Sequence, residues 1–167
     1  MNDTETNGAT TRSGFLCDQA IAEISETLRR LLADVFCLYM KTKSFHWHMT
    51  GSHFRDYHVL LDEQAEQVFA MTDAIAERGR KIGGKTLRSV GDISRRQRLK
   101  DNDEEMLTSQ TMLSELLDDN SQLTAHMRET HEICAKNNDV ATASLIEVWI
   151  DETERRTWFL AEVTRGL

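Results

Sequence analysis

The absence of proline is the feature that most limits what this chain can fold into. Proline breaks the interior of a helix, and the only glycine between residues 15 and 78 is Gly51, so long segments carry no helix breaker. Apolar residues recur in these segments at steps of three and four, the spacing of one helix face. An example is the run Ile24, Leu28, Leu31, Leu32 and Val35. The sequence therefore predicts an all-α protein.

Four long helices are predicted, over about residues 16–49, 52–82, 103–137 and 140–164. Gly83-Gly84 marks the end of the second helix. Residues 83–102 are predicted to form a long crossing segment with a short helix near Ile93–Arg98. A chain of 167 residues is one domain by size. We expect a four-helix bundle with one long connection over residues 15–167, preceded by a flexible polar tail, residues 1–14.

Two pairs of possible metal ligands lie in the second predicted helix. His58 and Asp62 stand four residues apart on one helix face, and Asp73 and Glu77 repeat that spacing. Asp62 and Asp73 are eleven residues apart, close to three turns, so both pairs lie on one stripe. They are nevertheless separated by roughly 16 Å along the axis. Metal–ligand bonds are about 2.0–2.6 Å long, so a metal site using both pairs would have to be shared across a two-fold interface.

His46 precedes the break at Gly51 and is expected to fold back beside His58. Histidine and carboxylate ligands together suit iron, because they bind Fe(II) and also stabilise Fe(III). No histidine in the sequence has a glutamate three residues before it, which argues against a di-iron centre within one bundle. His48 and His53 are predicted to be structural or exposed. His126 and His131 have no carboxylate in a matching pattern.

The segment Lys43–Arg78, with Trp47 and Gly51 between its histidines, resembles the signature of the Dps family, the mini-ferritins named as DNA-binding proteins from starved cells. Residues 139–145 and 154–160 resemble the last helix of that family, so the resemblance covers nearly all of the chain after the first fourteen residues. It implies a ferritin-like four-helix bundle that assembles into a hollow dodecamer from two-fold dimers. It also implies a ferroxidase, which oxidises Fe(II) with hydrogen peroxide as the expected oxidant, stores ferric mineral and protects the cell from oxidative damage.

Matching the family motif residue by residue gives the iron ligands. The resemblance implies that His46, His58 and Asp62 come from one subunit, and that Asp73 and Glu77 come from its two-fold partner. Together they would form a di-iron centre at the dimer interface.

Other residues have expected roles under the same resemblance. Trp47 is assigned either to packing at the dimer interface or to a redox role beside the site. Trp149 and Trp158 are expected in the core, and Arg78 is expected to pair with an acid across the interface.

One position departs from the family pattern. Thr142 and Leu145 match the start of the last helix, but Ser144 stands where the family often has an aspartate that lines a pore for incoming iron. The alternative candidates for that pore are Asp139, Glu147, Asp151 or another acid.

Charge bears on the competing function, a nucleoid-associated protein that compacts DNA and binds iron secondarily. The net charge is −8, yet nine basic residues and one acid, Asp92, lie between Arg78 and Lys100. This stretch either complements helix ends or forms a patch for nucleic-acid phosphates. The terminal tail has one arginine, Arg12, so we do not expect tight DNA binding.

Cysteines and hydropathy indicate the compartment. Cys17, Cys37 and Cys134 form no CxxC pair and are predicted to be buried or partly buried thiols in a reducing cytoplasm. The sequence contains no apolar run long enough to span a membrane. We therefore expect a cytoplasmic protein, with nucleoid association as the alternative.

Overall fold

The computed structural model describes residues 15–165, so the predicted tail at residues 1–14 lies outside the described residues. The described chain forms helices and no strand, which confirms the all-α prediction. The helices are α1 (Asp18–His48), α2 (Phe54–Lys81), α3 (Val90–Arg96), α4 (Ser109–Lys136) and α5 (Val140–Thr164).

The helices pack as two hairpins that form one bundle. Helix α1 packs against α2, α4 packs against α5, and α1 also contacts α4. Residues 82–108 run from the end of α2 to the start of α4, and α3 within them lies against α1. This is the predicted four-helix bundle with a long connection that carries a short helix. None of these five helices is both long and apolar enough to cross a membrane.

Two helix starts differ from the prediction because capping side chains determine them. Helix α4 begins after Thr108, whose hydroxyl oxygen accepts a hydrogen bond from the Thr111 amide at 3.1 Å. Helix α3 begins after Ser89, whose hydroxyl accepts from the Asp92 amide at 3.1 Å. Each cap satisfies an amide that has no partner within its helix.

The bundle is held together by apolar side chains from all four long helices. Fully buried examples are Leu31, Leu38, Leu61, Leu113, Leu116 and Ile146. Burial of one such side chain contributes about 1.5–3 kcal/mol. Trp149 is buried as predicted, but the prediction for Trp158 was wrong, because it is 60% exposed. The buried stripe of α5 follows Trp149, Thr153, Arg156 and Leu160, and Trp158 falls outside that spacing.

The crossing segment is anchored to α1 by Asp34, which is fully buried. Its carboxylate accepts hydrogen bonds from the Arg98 amide at 2.5 Å and from the Arg98 guanidinium at 2.7 Å. His126 Nδ1 of α4 lies 3.1 Å from the same carboxylate. Arg98 therefore belongs to the internal structure, although it lies in the basic stretch of the sequence.

The three thiols have different surroundings. Cys37 and Cys134 are buried, but Cys17 is exposed, so the prediction was wrong for Cys17. Burial raises the pKa of Cys37 to about 12, and the neighbouring Asp101 carboxylate adds to the shift. Burial likewise raises the pKa of Cys134 to about 12.

Candidate metal centre

The turn between α1 and α2 brings His46 against His58. Gly51, in the middle of this turn, has a φ of 108°, a conformation that residues with a side chain rarely adopt. The chain reverses there, and the two imidazole rings stack with centroids 3.7 Å apart and an interplanar angle of 20°.

Reciprocal hydrogen bonds fix the two rings. Nδ1 of His46 lies 2.8 Å from the carbonyl oxygen of His58, and Nδ1 of His58 lies 2.9 Å from the carbonyl oxygen of His46. A carbonyl oxygen only accepts, so each Nδ1 must carry the proton and donate it. In the neutral rings Nε2 is then the nitrogen with a free lone pair, as a metal ligand requires.

Asp62 lies beside this pair and is held by a lysine. Its Oδ1 atom is 3.8 Å from His46 Nε2 and 2.7 Å from Lys43 Nζ. The hydrogen bond from Lys43 lowers the pKa of Asp62, and the two histidines add to the shift. Sequence reasoning gave Lys43 no role, although it stands three residues before His46 and therefore on the same helix face.

Asp73 and Glu77 do not join this group within the chain. Both side chains are exposed further along α2, and Glu77 instead pairs with Lys81 at 3.1 Å. Across residues 15–165, no three His, Cys, Asp or Glu side chains stand close enough together to hold a metal ion. Within one chain the five predicted ligands therefore form two separate groups, which we call half-sets. One half-set is His46, His58 and Asp62, and the other is Asp73 and Glu77.

Exposed apolar residues share the surface with these half-sets. Phe69 stands seven residues after Asp62 and four before Asp73, hence on the same stripe of α2, and it is 51% exposed. On α1, Met40 and Trp47 are two turns apart and are 54% and 56% exposed. Large exposed apolar groups along one helix face are typical of an interaction surface.

Comparison with known proteins places this architecture in a family. A family model described as a ferritin-like domain matches residues 25–167. DNA protection during starvation protein 1 of Deinococcus radiodurans is 29% identical over 157 residues, covering 94% of this chain and 76% of that protein. The DNA protection during starvation protein of Halobacterium salinarum is 30% identical over 129 residues, covering 77% of this chain and 71% of that protein. The chain belongs to the Dps family of ferritin-like proteins.

Solved structures agree with this assignment. Dps from Thermosynechococcus elongatus has a TM-score of 0.81 and 29% identity, over 84% of this chain and 88% of that chain. Antigen TpF1 from Treponema pallidum has a TM-score of 0.87 and 27% identity, over 92% and 98% of the two chains.

In this Dps-family chain, Arg78 has a partner inside the bundle. Its Nη2 atom lies 2.7 Å from Asp139 Oδ1, and its Nε donates to the Thr142 hydroxyl at 2.7 Å. Arg78 thus has an acidic partner within its own chain, and the expected contact across the interface stays a prediction. Asp139 is buried and caps α5 by accepting from the Thr142 amide at 3.2 Å, so it is a structural residue and not a pore candidate.

The two histidines of α4 also contact carboxylates that the sequence pattern did not indicate. His126 contacts Asp34, 92 residues away. Nε2 of His131 lies 2.9 Å from Glu147, one of the remaining pore candidates of this Dps-family chain, and Asp151 is exposed. Such contacts depend on how α1, α4 and α5 pack, which the local pattern does not specify.

Proposed function

We propose that this protein is a ferroxidase that oxidises Fe(II) and stores the ferric product inside a hollow dodecamer. His46, His58 and Asp62 of one subunit, with Asp73 and Glu77 of the two-fold partner, bind the iron as substrate at a two-iron site. The observation that carries the proposal is the stacked histidine pair. Its Nδ1 atoms are both engaged, so its Nε2 atoms remain for a metal next to Asp62.

The separation of the half-sets supports a shared site. Asp62 and Asp73 lie roughly 16 Å apart on one straight helix, and both face the same stripe as exposed Phe69. Antiparallel packing of α2 against its copy buries Phe69 and sets the exposed acids of one chain opposite the histidines of the other. A two-fold interface forms this arrangement twice.

Each ligand type has a part in the chemistry. The imidazole nitrogens bind Fe(II), and the carboxylates stabilise the more highly charged Fe(III). Two Fe(II) ions give one electron each, so one hydrogen peroxide molecule takes both electrons and, with two protons, becomes two water molecules. No hydroxyl radical is released in this two-electron reduction. Protection then comes from removing Fe(II) and peroxide together, in the cytoplasm.

The test measures Fe(II) oxidation by peroxide in the purified, assembled protein. Replacing His46 and His58 together by alanine is expected to reduce the rate to that of Fe(II) in buffer while the shell keeps its size. The matched control replaces His48 and His53, two exposed histidines beside the same turn, and should keep the full rate. A normal rate in an assembled His46→Ala/His58→Ala shell would contradict the proposal.

A further inference from the structure

Arg78 directly follows the proposed ligand Glu77 in α2, but its side chain has a different environment. The Glu77 side chain is exposed, whereas that of Arg78 is 17% exposed and reaches the start of α5. Successive residues of an α-helix are rotated by about 100°. The direction in which Arg78 is held therefore also determines the directions in which Asp73 and Glu77 leave the helix, so any contact that fixes Arg78 fixes this half-set.

Two directional contacts hold Arg78 against the start of α5. Its Nη2 atom lies 2.7 Å from Asp139 Oδ1, and its Nε atom donates to the Thr142 hydroxyl at 2.7 Å. The Asp139 side chain is 4% exposed and is itself fixed, because it also accepts a hydrogen bond from the Thr142 amide. A planar guanidinium that binds through two of its nitrogens keeps both its position and its orientation. Little solvent reaches this ion pair, so salt screens it weakly.

The other contacts at this end of α2 determine its rotation less sharply. Ile75 and Ile82 are each 1% exposed and anchor the helix end in the core, but the hydrophobic effect is not directional. Helix α2 packs mainly against α1 and touches α5 only slightly. Among the ion pairs of residues 15–165, that between Arg78 and Asp139 is the one that joins α2 to the start of α5. Loss of Arg78 should therefore let this helix end shift without unfolding the bundle.

A small shift of this helix end matters for an iron site that is shared between subunits. Asp73 lies five residues before Arg78, about 7.5 Å along the helix axis. Metal–ligand distances are held to within about 0.2 Å. A displacement of the helix end would therefore take the Asp73 and Glu77 carboxylates out of bonding range of an ion on the histidines of the partner subunit.

We propose that Arg78 is a positioning residue of the iron site. Its contacts with Asp139 and Thr142 hold Asp73 and Glu77 in the place where the histidines of the partner subunit complete the site. The inference rests on the proposed function and adds a direction to it. A substitution of Arg78 in one chain impairs the site whose histidines belong to the other chain, whereas loss of a residue that only stabilises the fold impairs both sites.

Binding of Co(II) tests this role without depending on oxidation. Co(II) takes the same imidazole and carboxylate ligands as Fe(II), and its visible absorption changes on coordination. The His46→Ala/His58→Ala shell gives the background. Arg78→Met should raise the dissociation constant roughly tenfold, the lower end of what loss of a supporting contact costs a metal site. Arg78→Lys should raise it less, because lysine keeps the ion pair without the second contact. Arg80→Met removes an exposed arginine of the same helix end and should leave the dissociation constant unchanged.

Mixed shells test the direction of the effect. Arg78→Met chains are refolded with an equal amount of His46→Ala/His58→Ala chains. One site of each mixed dimer then combines unmodified histidines with carboxylates from a chain that keeps Arg78, so about one quarter of all sites should bind Co(II) with unmodified affinity. In the matched mixture of Arg78→Met with Asp73→Ala chains, no such site forms. Arg78→Lys replaces Arg78→Met in both mixtures if the methionine variant does not fold.

Two results overturn the proposal. One is unmodified Co(II) affinity in shells of the Arg78 variant alone, and the other is the absence of sites with unmodified affinity from the first mixture. Failure of the proposed function gives a different result. A shell that binds Co(II) in the expected pattern but does not oxidise Fe(II) contradicts the ferroxidase assignment and supports the positioning role of Arg78.

Discussion

The ammonium group of Lys43 lies 2.7 Å from Oδ1 of Asp62, a carboxylate that we assign to the iron ligands. The same oxygen lies 3.8 Å from His46 Nε2, and a cation bound by both atoms would have to lie between them. Lys43 thus places a positive charge beside the position of the substrate. To bind Asp62, Fe(II) must displace this ammonium group or share the carboxylate with it.

Replacing Lys43 by methionine should therefore strengthen Fe(II) binding. Loss of the competing ion pair frees Asp62, and we expect the dissociation constant to fall roughly two- to fivefold, the range that exposed ion pairs contribute. Anaerobic calorimetry with Fe(II) measures it. Lys136→Met, which removes an exposed lysine 3.7 Å from Glu23 on another surface, is the control. Weaker binding in Lys43→Met would show that Lys43 positions Asp62 and does not compete.

Mixed shells test whether the site is shared between subunits. Asp62→Ala and Asp73→Ala chains, each inactive alone, are refolded together in equal amounts. If ligands come from two chains, half of the dimers are mixed, and one of the two sites in each mixed dimer is intact. Activity should recover to about one quarter of the unmodified level. A site within one chain predicts no recovery.

A second mixture tests whether mixing and refolding alone restore activity. Asp62→Ala chains are mixed with chains that carry both Asp62→Ala and Asp73→Ala. Every site in these shells lacks Asp62, so the rate should stay at background. Recovery in this mixture would show that Asp62 is dispensable and would contradict the ligand assignment.

The fold could be predicted from sequence because its determinants are local. Without proline, and with apolar residues at helical spacing, the four long helices have few alternatives. Gly51 marks the reversal that brings His46 to His58, so this pairing was also predictable. The helix starts after Ser89 and Thr108 were missed by three and six residues because single capping hydroxyls decide them.

The remaining contacts could not be predicted because they join distant residues. Asp34 and His126 are 92 residues apart, and Arg78 and Asp139 are 61 apart. Each pair satisfies a charge that helix packing buries, and a local pattern contains no information about that packing. Burial of Arg156, which is 1% exposed and bonded to Asn120 and Thr153, could not be predicted either, because an arginine in a helical pattern normally lies on the solvent side.

Asp34 is expected to contribute strongly to stability. Asp34→Asn removes the negative charge that faces the Arg98 guanidinium and a ring nitrogen of His126 in the interior. Breaking a buried ion pair in this way costs about 3–5 kcal/mol of unfolding free energy. Urea denaturation measures the change. Asp118→Asn, an exposed change on α4, should alter stability little. Equal midpoints for the two variants would show that Asp34 does not hold the crossing segment.

The reactivity of the three thiols should decrease with burial. At pH 8, Cys37 and Cys134 have pKa values raised to about 12, so thiolate makes up only about one part in ten thousand of each. Exposed Cys17 should react alone, giving one rapid equivalent of Ellman's reagent per native chain and three after unfolding. Cys17→Ser should abolish the rapid phase. A second rapid equivalent in native protein would show that α1 or α4 opens readily.

A protein that protects DNA by removing Fe(II) and peroxide does not need to bind DNA, and we expect this one to bind it weakly. The net charge is −8, and much of the basic stretch is occupied, because Arg96 pairs with Glu26 at 2.7 Å and Arg98 binds buried Asp34. Phosphate contacts by free cations dominate non-specific affinity. We expect no retained complex with supercoiled plasmid at about 0.15 M salt in an electrophoretic shift. The informative variant combines Lys85→Ala, Arg88→Ala and Arg95→Ala, three exposed residues whose removal spares the Asp34 anchor. A salt-sensitive complex that this variant abolishes would make the crossing segment a DNA-binding surface.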